Sequence, residues 1–176
     1  DGDGRYTDPV VFAEGLLFAN TLMFWQDGVL VTTDGRLDFM ADRDGDGKAE
    51  FRETWFEGFS RENPQLRANS PTLGHDGLIY VANGLRGGKI KAARKEWGEH
   101  APVDISGRDF CFDPYTGEAR ATSGHGQFGM SFDDYSRRFC CSNRNPCIQV
   151  VMPEWALDKN RDVAVTAVVA DAAVSG

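Results

Sequence analysis

Short apolar runs separated by turn residues make up most of the hydrophobic pattern of this 176-residue chain. The clearest unit is an apolar strand, an Asp-Gly turn and a second apolar strand, found over 22–31 and again over 73–81. Asp-Gly favours a tight turn between paired strands because both turn positions accept positive φ angles. A weaker copy covers 130–139. The pattern therefore predicts three β-hairpins in a chain of short strands.

The predicted strands fall into three groups of four. The first group covers 21–25, 29–32, 36–41 and 50–57. The second covers 71–74, 78–83, 107–112 and 118–122, and the third covers 128–132, 137–142, 148–152 and 164–170. One more strand is predicted over 6–14, and helices are predicted over 89–97, inside an insertion at 84–106, and over 154–161.

An internal repeat connects these groups. The acidic segment at 1–5 recurs at 44–48, and the hairpins recur in successive groups. A repeat of about 40–50 residues that holds four short strands is typical of a β-propeller blade. The sequence thus predicts an all-β partial β-propeller, with blades at 21–57, 71–123 and 128–170 plus the strand at 6–14. Propellers have about four to eight blades, so 1–176 is interpreted as a propeller fragment; an open sandwich is the alternative.

Composition narrows the possible functions. The formal net charge is −8, which disfavours binding to the phosphate backbone of nucleic acids. The four cysteines, Cys111, Cys140, Cys141 and Cys147, form no Cys-x-x-Cys pair, so zinc and covalent haem within these residues are not expected. Buried free thiols are the main prediction; a bond between Cys140 and Cys141, or from Cys111 to either, is the alternative.

Residues 42–53 follow the spacing of the twelve-position calcium loop. The acidic and glycine positions are occupied by Asp42, Asp44, Asp46, Gly47 and Glu53. Calcium prefers six to eight oxygen ligands, which closely spaced carboxylates supply, and the Lys48 carbonyl is a further candidate. Because the flanking segments resemble strands, we interpret the segment as a structural calcium-binding β-turn. A solvated acidic turn without metal is the alternative.

Blade topology assigns the connecting loops to two faces. The face that carries active sites in propellers would hold 16–21, 32–36, 58–70, 83–88, 123–128 and 143–147. His125 lies there and is a candidate general base, because the histidine pKa is near neutrality. Arginine, asparagine and glutamine could bind cofactor carboxylates there: the candidates are Gln65, Arg67, Asn69 and Arg144. Hydrogen bonding between blades is the alternative role for each.

Several stretches resemble a known family. They are DGDGRYTDPVVFAEGL, FWQDGVLVTT, DRDGDGKAEFRETWFEGF, ENPQLRANSPTLGHDGLIYVANG, ISGRDFCFDPYTGEARATSGHGQFGMSFDDYSRRF and CSNRNP. The chain resembles the planctomycete-type membrane-bound dehydrogenase propellers, which are similar to quinoprotein glucose/sorbosone dehydrogenases. The resemblance implies a six-bladed propeller, export to the periplasm or beyond with membrane association through other segments, and a c-type cytochrome domain elsewhere in the protein.

The same resemblance implies a chemistry. Pyrroloquinoline quinone (PQQ), bound with Ca²⁺ over the channel, would oxidise a sugar or alcohol and pass electrons to the cytochrome. The family's catalytic histidine position falls on Leu66, which cannot act as a base, with Arg67 beside it; His125 falls near a family arginine. His125 and Arg67 are the predicted catalytic residues. A non-catalytic calcium-stabilised propeller that binds carbohydrate or protein is the alternative, and a lactonase-type hydrolase is a third.

Overall fold

The computed structural model describes residues 9–160, 162 and 164–173, which form an all-β structure of three antiparallel sheets. In chain order the strands are β1 (Thr21–Trp25), β2 (Gly28–Thr32), β3 (Arg36–Ala41), β4 (Phe51–Phe59), β5 (Asn69–Leu73), β6 (Ile79–Ala82), β7 (Gly88–Ala92), β8 (Val103–Asp104), β9 (Asp109–Phe112), β10 (Ala119–Thr122), β11 (Phe128–Phe132), β12 (Arg138–Cys141), β13 (Ile148–Val150) and β14 (Val169–Asp171). Eleven of the twelve predicted strands are confirmed with small shifts at their ends, whereas the strand predicted over 164–170 is shorter and covers only Val169–Asp171.

Each sheet follows the order of the chain. The first sheet has the order β1-β2-β3-β4-β7-β8, the second β5-β6-β9-β10 and the third β11-β12-β13-β14. Helix α1 (Glu154–Lys159) lies between β13 and β14, and single 3₁₀ turns cover Pro64–Leu66 and Lys95–Trp97. The first strands of the sheets are neighbours, since β5 contacts both β1 and β11.

Two of the three hairpin turns are equivalent. β5 and β6 are joined by residues 74–78, and β11 and β12 by residues 133–137; Gly77 and Ser136 take positive φ at the same position of each turn. The first hairpin is tighter than predicted. Trp25 pairs with Gly28, so the turn is Gln26-Asp27 rather than Asp27-Gly28. Gly28 is a strand residue, and a Cβ there would lie 2.2 Å from the Met40 carbonyl oxygen.

Aromatic side chains fill the core between the first two sheets. Phe56 of β4 packs against Phe110 and Phe112 of β9, with ring centres 5.0 Å and 4.7 Å apart. Trp97 from the insertion packs on Trp55 at 5.0 Å and on Phe56 at 5.2 Å. The insertion therefore covers this core.

Two predicted elements differ from the structure. Residues 89–97 are not a helix: β7 adds to β4 and is followed by the 3₁₀ turn at 95–97. The cause is a two-residue alternation, in which exposed Lys89 and Lys91 flank buried Ile90, and this period is that of a β-strand. Within the predicted strand at 6–14, residues 9–14 form no strand, and the remainder, like the acidic segment at 1–5, lies outside the described residues.

The predicted helix at 154–161 is confirmed as α1 over its described part. Among the described residues, no helix has the length and apolar character needed to cross a membrane.

Candidate functional site

Loops at one end of the three sheets are joined by hydrogen bonds. We call this surface the loop face and define it by 16–21, 32–36, 58–70, 83–88, 123–128 and 143–147. The bonds that join its segments include Asn20 Nδ2 to Ala68 O (3.2 Å), Ser60 N to Gly87 O (3.0 Å), Gly84 N to Gly126 O (2.9 Å) and Asn143 N to Gln127 Oε1 (3.0 Å). The structure thus brings together the segments that blade topology assigned to one face.

Arg67 connects two of these loops and is buried. Its Nη1 forms an ion pair with Asp34, and its Nη2 donates to the Arg61 carbonyl oxygen at 3.0 Å. The guanidinium carbon lies 4.0 Å from the centre of the Phe18 ring. Arg67 therefore joins segments of the loop face, and its buried guanidinium group is not exposed for binding a ligand.

Asp34 is shared by two arginines. Arg61 Nη2 lies 2.5 Å from Asp34 Oδ2, and Arg67 binds the other carboxylate oxygen. Loss of hydration raises the Asp34 pKa, but the hydrogen bonds and charges of Arg61 and Arg67 outweigh it and hold the pKa below its usual range. The carboxylate is ionised at neutral pH and balances the charge of Arg67.

Asn69 is buried and its amide is fully used. Nδ2 donates to the Arg67 carbonyl oxygen at 2.9 Å and to the Gln127 carbonyl oxygen at 2.8 Å. Its Oδ1 accepts from the Ser70 hydroxyl at 3.0 Å. The bond to Gln127 links the second sheet to the loop before β11, so Asn69 joins neighbouring sheets, which is the alternative role predicted for it. Gln65 is exposed on the 3₁₀ turn beside half-buried Leu66.

The loop that carries His125 is built on a buried carboxylate. Asp109 Oδ1 accepts from Asn83 N at 2.9 Å and from Gly126 N at 3.0 Å. Gly124 has φ +108°, and a Cβ there would lie 2.5 Å from Asp109 Oδ2. Both glycines pack inward, and His125 between them is exposed.

A partner for Asp109 comes from the third sheet. Arg138 Nη2 lies 3.7 Å from Asp109 Oδ2, and both side chains are buried. Burial raises the pKa of Asp109, and the charge of Arg138 opposes that rise. The guanidinium carbon of Arg138 lies 5.0 Å from the centre of the Tyr80 ring. The His125 loop therefore rests on a buried ion pair between two sheets.

His125 borders an open cavity of about 450 Å³. The lining includes Leu85, Gln127, Asn143, Arg144 and Ile148. Arg144 is exposed, and so is Arg86 next to Leu85 in the chain. The structure thus groups two predicted residues, His125 and Arg144, in one cavity, and adds Leu85 and Gln127. No pattern in the sequence indicated Leu85. The one signal for Gln127 was its position as a polar residue in the glycine-rich loop that contains His125.

The acidic turn is ordered by its own backbone. Asp42 accepts from Gly45 N at 2.6 Å and from Gly47 N at 2.8 Å, and these bonds hold the Asp42 pKa below its usual range. Asp42, Asp44 and Glu50 each place a carboxylate oxygen within 4.8 Å of the others. Asp46 Oδ1 accepts from Lys48 N at 2.8 Å. The cluster offers oxygen ligands of the kind that calcium prefers.

Glu53 lies elsewhere, although its spacing predicted a ligand. It is in β4, where its Oε2 lies 3.2 Å from Arg94 Nε and accepts from Trp55 Nε1 at 3.2 Å. Glu50 precedes the strand, and its Oε1 accepts from Arg43 N at 2.8 Å. The structure therefore groups Glu50, and not Glu53, with Asp42 and Asp44.

The four cysteines and the other two histidines do not line the His125 cavity. All four cysteines are free, as predicted, but only Cys111 and Cys140 are buried, and Cys141 and Cys147 are half-buried. Burial raises the pKa of Cys111 and of Cys140 to about 11. His75 Nδ1 lies 3.0 Å from Ser136 Oγ, and His100 Nε2 lies 3.1 Å from Trp97 O. Both histidines are exposed, and neither belongs to the loop face.

Comparison with known proteins gives one match. Neither the curated proteins nor the solved structures contain a match to the chain. The family described as Domain of unknown function (DUF7133) matches residues 1–175. The match covers almost the whole chain, which therefore belongs to the DUF7133 family.

Proposed function

We propose that the three sheets are blades of a β-propeller, with the blades at 21–57, 71–123 and 128–170. Two observations support this arrangement. The first strands β1, β5 and β11 are neighbours, and each sheet then proceeds outward in chain order. A propeller requires both features, whereas a sandwich chain commonly crosses between its sheets. β7 and β8 come from within 71–123 in the chain but extend the first blade at its outer edge.

We further propose that the loop face binds a sugar or alcohol and that His125 accepts the proton of the substrate hydroxyl. The observation that carries this proposal is the placement of His125. Its side chain is exposed beside Arg144 in one cavity, and its loop is fixed to buried Asp109 through Gly126. A general base needs a fixed position within hydrogen-bond reach of the proton that it removes, and the anchored loop gives His125 such a position.

The charges of the loop face suit an anionic cofactor such as PQQ, which carries carboxylates. Arg86 and Arg144 are exposed, and neither has an ion-pair partner among the described residues. These two arginines would hold the carboxylates, and exposed Gln65 could add a hydrogen bond. Arg67 and Asn69 would not, because Arg67 is buried and paired with Asp34, and the Asn69 amide already donates to two backbone carbonyl oxygens. The chemistry that the quinone supplies when bound is hydride acceptance, and a c-type cytochrome would take the electrons.

A dye-linked oxidation assay on the intact protein tests this function. The protein is supplied with PQQ and Ca²⁺, and aldoses and primary alcohols are offered as substrates. We expect turnover that His125→Ala lowers about 10²-fold or more, the usual loss for a general base. His100→Ala is the matched control, since His100 is exposed but lies outside the loop face, and it should keep full activity. Equal turnover in His125→Ala and the parent protein would show that His125 is not the general base.

A non-catalytic ligand-binding propeller is the second candidate, and a specific observation favours it. Leu66 occupies the position of the family's histidine, and the adjacent Arg67 is paired with Asp34. Under this alternative the parent protein shows no turnover, while Leu66→His creates it. The two candidates therefore predict opposite results for the parent protein.

We also propose that the acidic turn binds Ca²⁺ in a structural role and that the protein works after export from the cytoplasm. The grouped oxygens of Asp42, Asp44 and Glu50 support the first proposal. The resemblance to exported dehydrogenases that carry cytochrome domains supports the second, and cell fractionation with a periplasmic marker tests it. Recovery of the protein with the cytoplasmic fraction would contradict export.

A further inference from the structure

A second cavity, of about 580 Å³, lies between the second and third sheets. We call it the intersheet groove. Its lining includes Tyr80, Arg120, Phe132, Tyr135, Arg138 and Trp155. The residues that line it do not belong to the loop face, so the intersheet groove is separate from the cavity at His125.

The intersheet groove contains a buried hydrogen-bond donor without a partner. The Arg138 side chain is only 6% exposed, yet it lines the groove. Its Nη1 has no hydrogen-bond partner among the described residues, and its Nη2 lies 3.7 Å from Asp109, beyond hydrogen-bond distance. Buried N–H groups are nearly always paired because an unpaired one is costly. An acceptor on a ligand would satisfy this group.

The charges around the groove are nearly balanced. Arg137 Nε lies 2.6 Å from Asp133, and Glu154 lies 3.2 Å from Arg108. After these pairs and the pair of Arg138 with Asp109, two charged side chains remain. They are Arg120, which has no partner among the described residues, and Asp76, which accepts from the Tyr80 hydroxyl at 2.7 Å. One charge of each sign suits a neutral ligand that has both donors and acceptors.

Aromatic rings border the same groove. Tyr135 is 80% exposed and Trp155 is 60% exposed. Phe132 packs edge-on against Tyr80, with ring centres 5.2 Å apart. Large exposed aromatic side chains beside a few polar groups are the usual composition of small-molecule sites. The rings can contact the apolar C–H face of a ligand, while the polar groups orient it.

We propose that the intersheet groove binds a neutral saccharide. A sugar ring has an apolar C–H face for the aromatic side chains and hydroxyl groups that both donate and accept. Its hydroxyl oxygens accept from Arg138 Nη1 and Arg120, and a hydroxyl donates to Asp76. No residue lines both this site and the His125 cavity, although Arg138 also pairs with the carboxylate that supports the His125 loop.

A glycan array of neutral, uronate-containing and sulfated oligosaccharides, probed with the intact protein, tests the proposal. We expect neutral glycans to bind, and we expect Trp155→Ala and Arg120→Ala each to weaken that binding at least tenfold. Both side chains are exposed, so the melting temperature should be unchanged. Phe24→Ala is the control: Phe24 is 82% exposed on β1, away from the groove, and its loss should leave glycan binding unchanged.

Two further measurements locate the bound glycan and define its form. His125→Ala should leave glycan binding intact, which distinguishes the groove from the loop face. Soluble oligosaccharides and insoluble neutral polysaccharides, assayed in parallel, distinguish a site for free sugars from a site for polymer chains. The proposal is overturned if only charged glycans bind, if nothing on the array binds, or if neutral-glycan binding survives both Trp155→Ala and Arg120→Ala.

Discussion

Arg138 of β12 reaches Asp109 of β9 across the boundary between the second and third sheets, with Nη2 and Oδ2 3.7 Å apart and both side chains buried. Asp109 also binds the backbone of Asn83 and Gly126. One carboxylate therefore joins two sheets and supports the loop that presents His125.

Removing the charge of Asp109 should strongly destabilise the protein. Asp109→Asn keeps the side-chain shape but leaves Arg138 buried without a counter-charge, which costs about 3–5 kcal/mol. Urea denaturation measures the free energy of unfolding. The double variant Asp109→Asn with Arg138→Met removes both charges and should recover much of the loss. A single-variant loss under about 1 kcal/mol, well below the cost of breaking a buried pair, would show that the pair is not stabilising in this way.

Gly124 should tolerate no side chain. Gly124→Ala would place a Cβ 2.5 Å from Asp109 Oδ2 and 2.7 Å from Arg138 Nη2, and overpacking of this kind costs about 1–3 kcal/mol. Gly107→Ala is the matched control, because Gly107 has φ +71° but open space around it. Its cost should be only the strain of a left-handed residue, about 1 kcal/mol. Equal melting temperatures for the two variants would contradict the close packing of Gly124 on the ion pair.

The strands could be predicted from sequence because their signals are local. Turn residues between alternating apolar runs mark strand ends, and the structure follows them in each predicted group. The helix predicted over 89–97 was wrong because the alternation of Lys89, Ile90 and Lys91 is a strand signal. Other local errors were the position of the first hairpin turn, the strand predicted over 9–14, and the start of the last strand.

Side-chain partners could not be predicted, since they depend on how distant segments pack. Arg67 was expected to face a ligand, but its partner Asp34 comes from a loop 33 positions earlier in the chain. Glu53 matched the spacing of a calcium loop whose last ligand is normally supplied by a helix. Here strand β4 begins at Phe51, so Glu53 is a strand residue and its carboxylate lies beside Arg94. Glu50 precedes the strand and remains next to the acidic turn.

The Asp34 ion pairs should make stability depend on pH in acid. The Asp34 pKa is lowered in the folded protein, so its contribution is complete above the unfolded-state pKa of about 3.9 and is lost as pH falls through the folded-state value. Urea midpoints of the parent protein and Asp34→Asn should differ at pH 7 and converge below about pH 4. A constant difference between pH 7 and pH 3 would contradict this linkage.

Calcium should stabilise the protein through Glu50 and not through Glu53. A ligand at a hundredfold excess over its Kd adds about 2.7 kcal/mol, which appears as a rise in melting temperature with Ca²⁺ and a fall with chelator. Glu50→Gln should abolish that response. Glu53→Gln should retain the calcium increment, even though it loses the ion pair with Arg94. If Glu53→Gln abolished the calcium response and Glu50→Gln did not, Glu53 would be the calcium ligand, as the spacing of residues 42–53 predicts.

The most direct test of the central claim is ligand protection of the three histidines. Diethyl pyrocarbonate modifies exposed imidazoles, and peptide mapping reports the rate at His75, His100 and His125 separately. We predict that PQQ with Ca²⁺, at concentrations where dialysis shows binding, slows modification of His125 at least tenfold and leaves His75 and His100 unchanged. Equal rates at His125 with and without the bound quinone would contradict a cofactor and substrate site on the loop face.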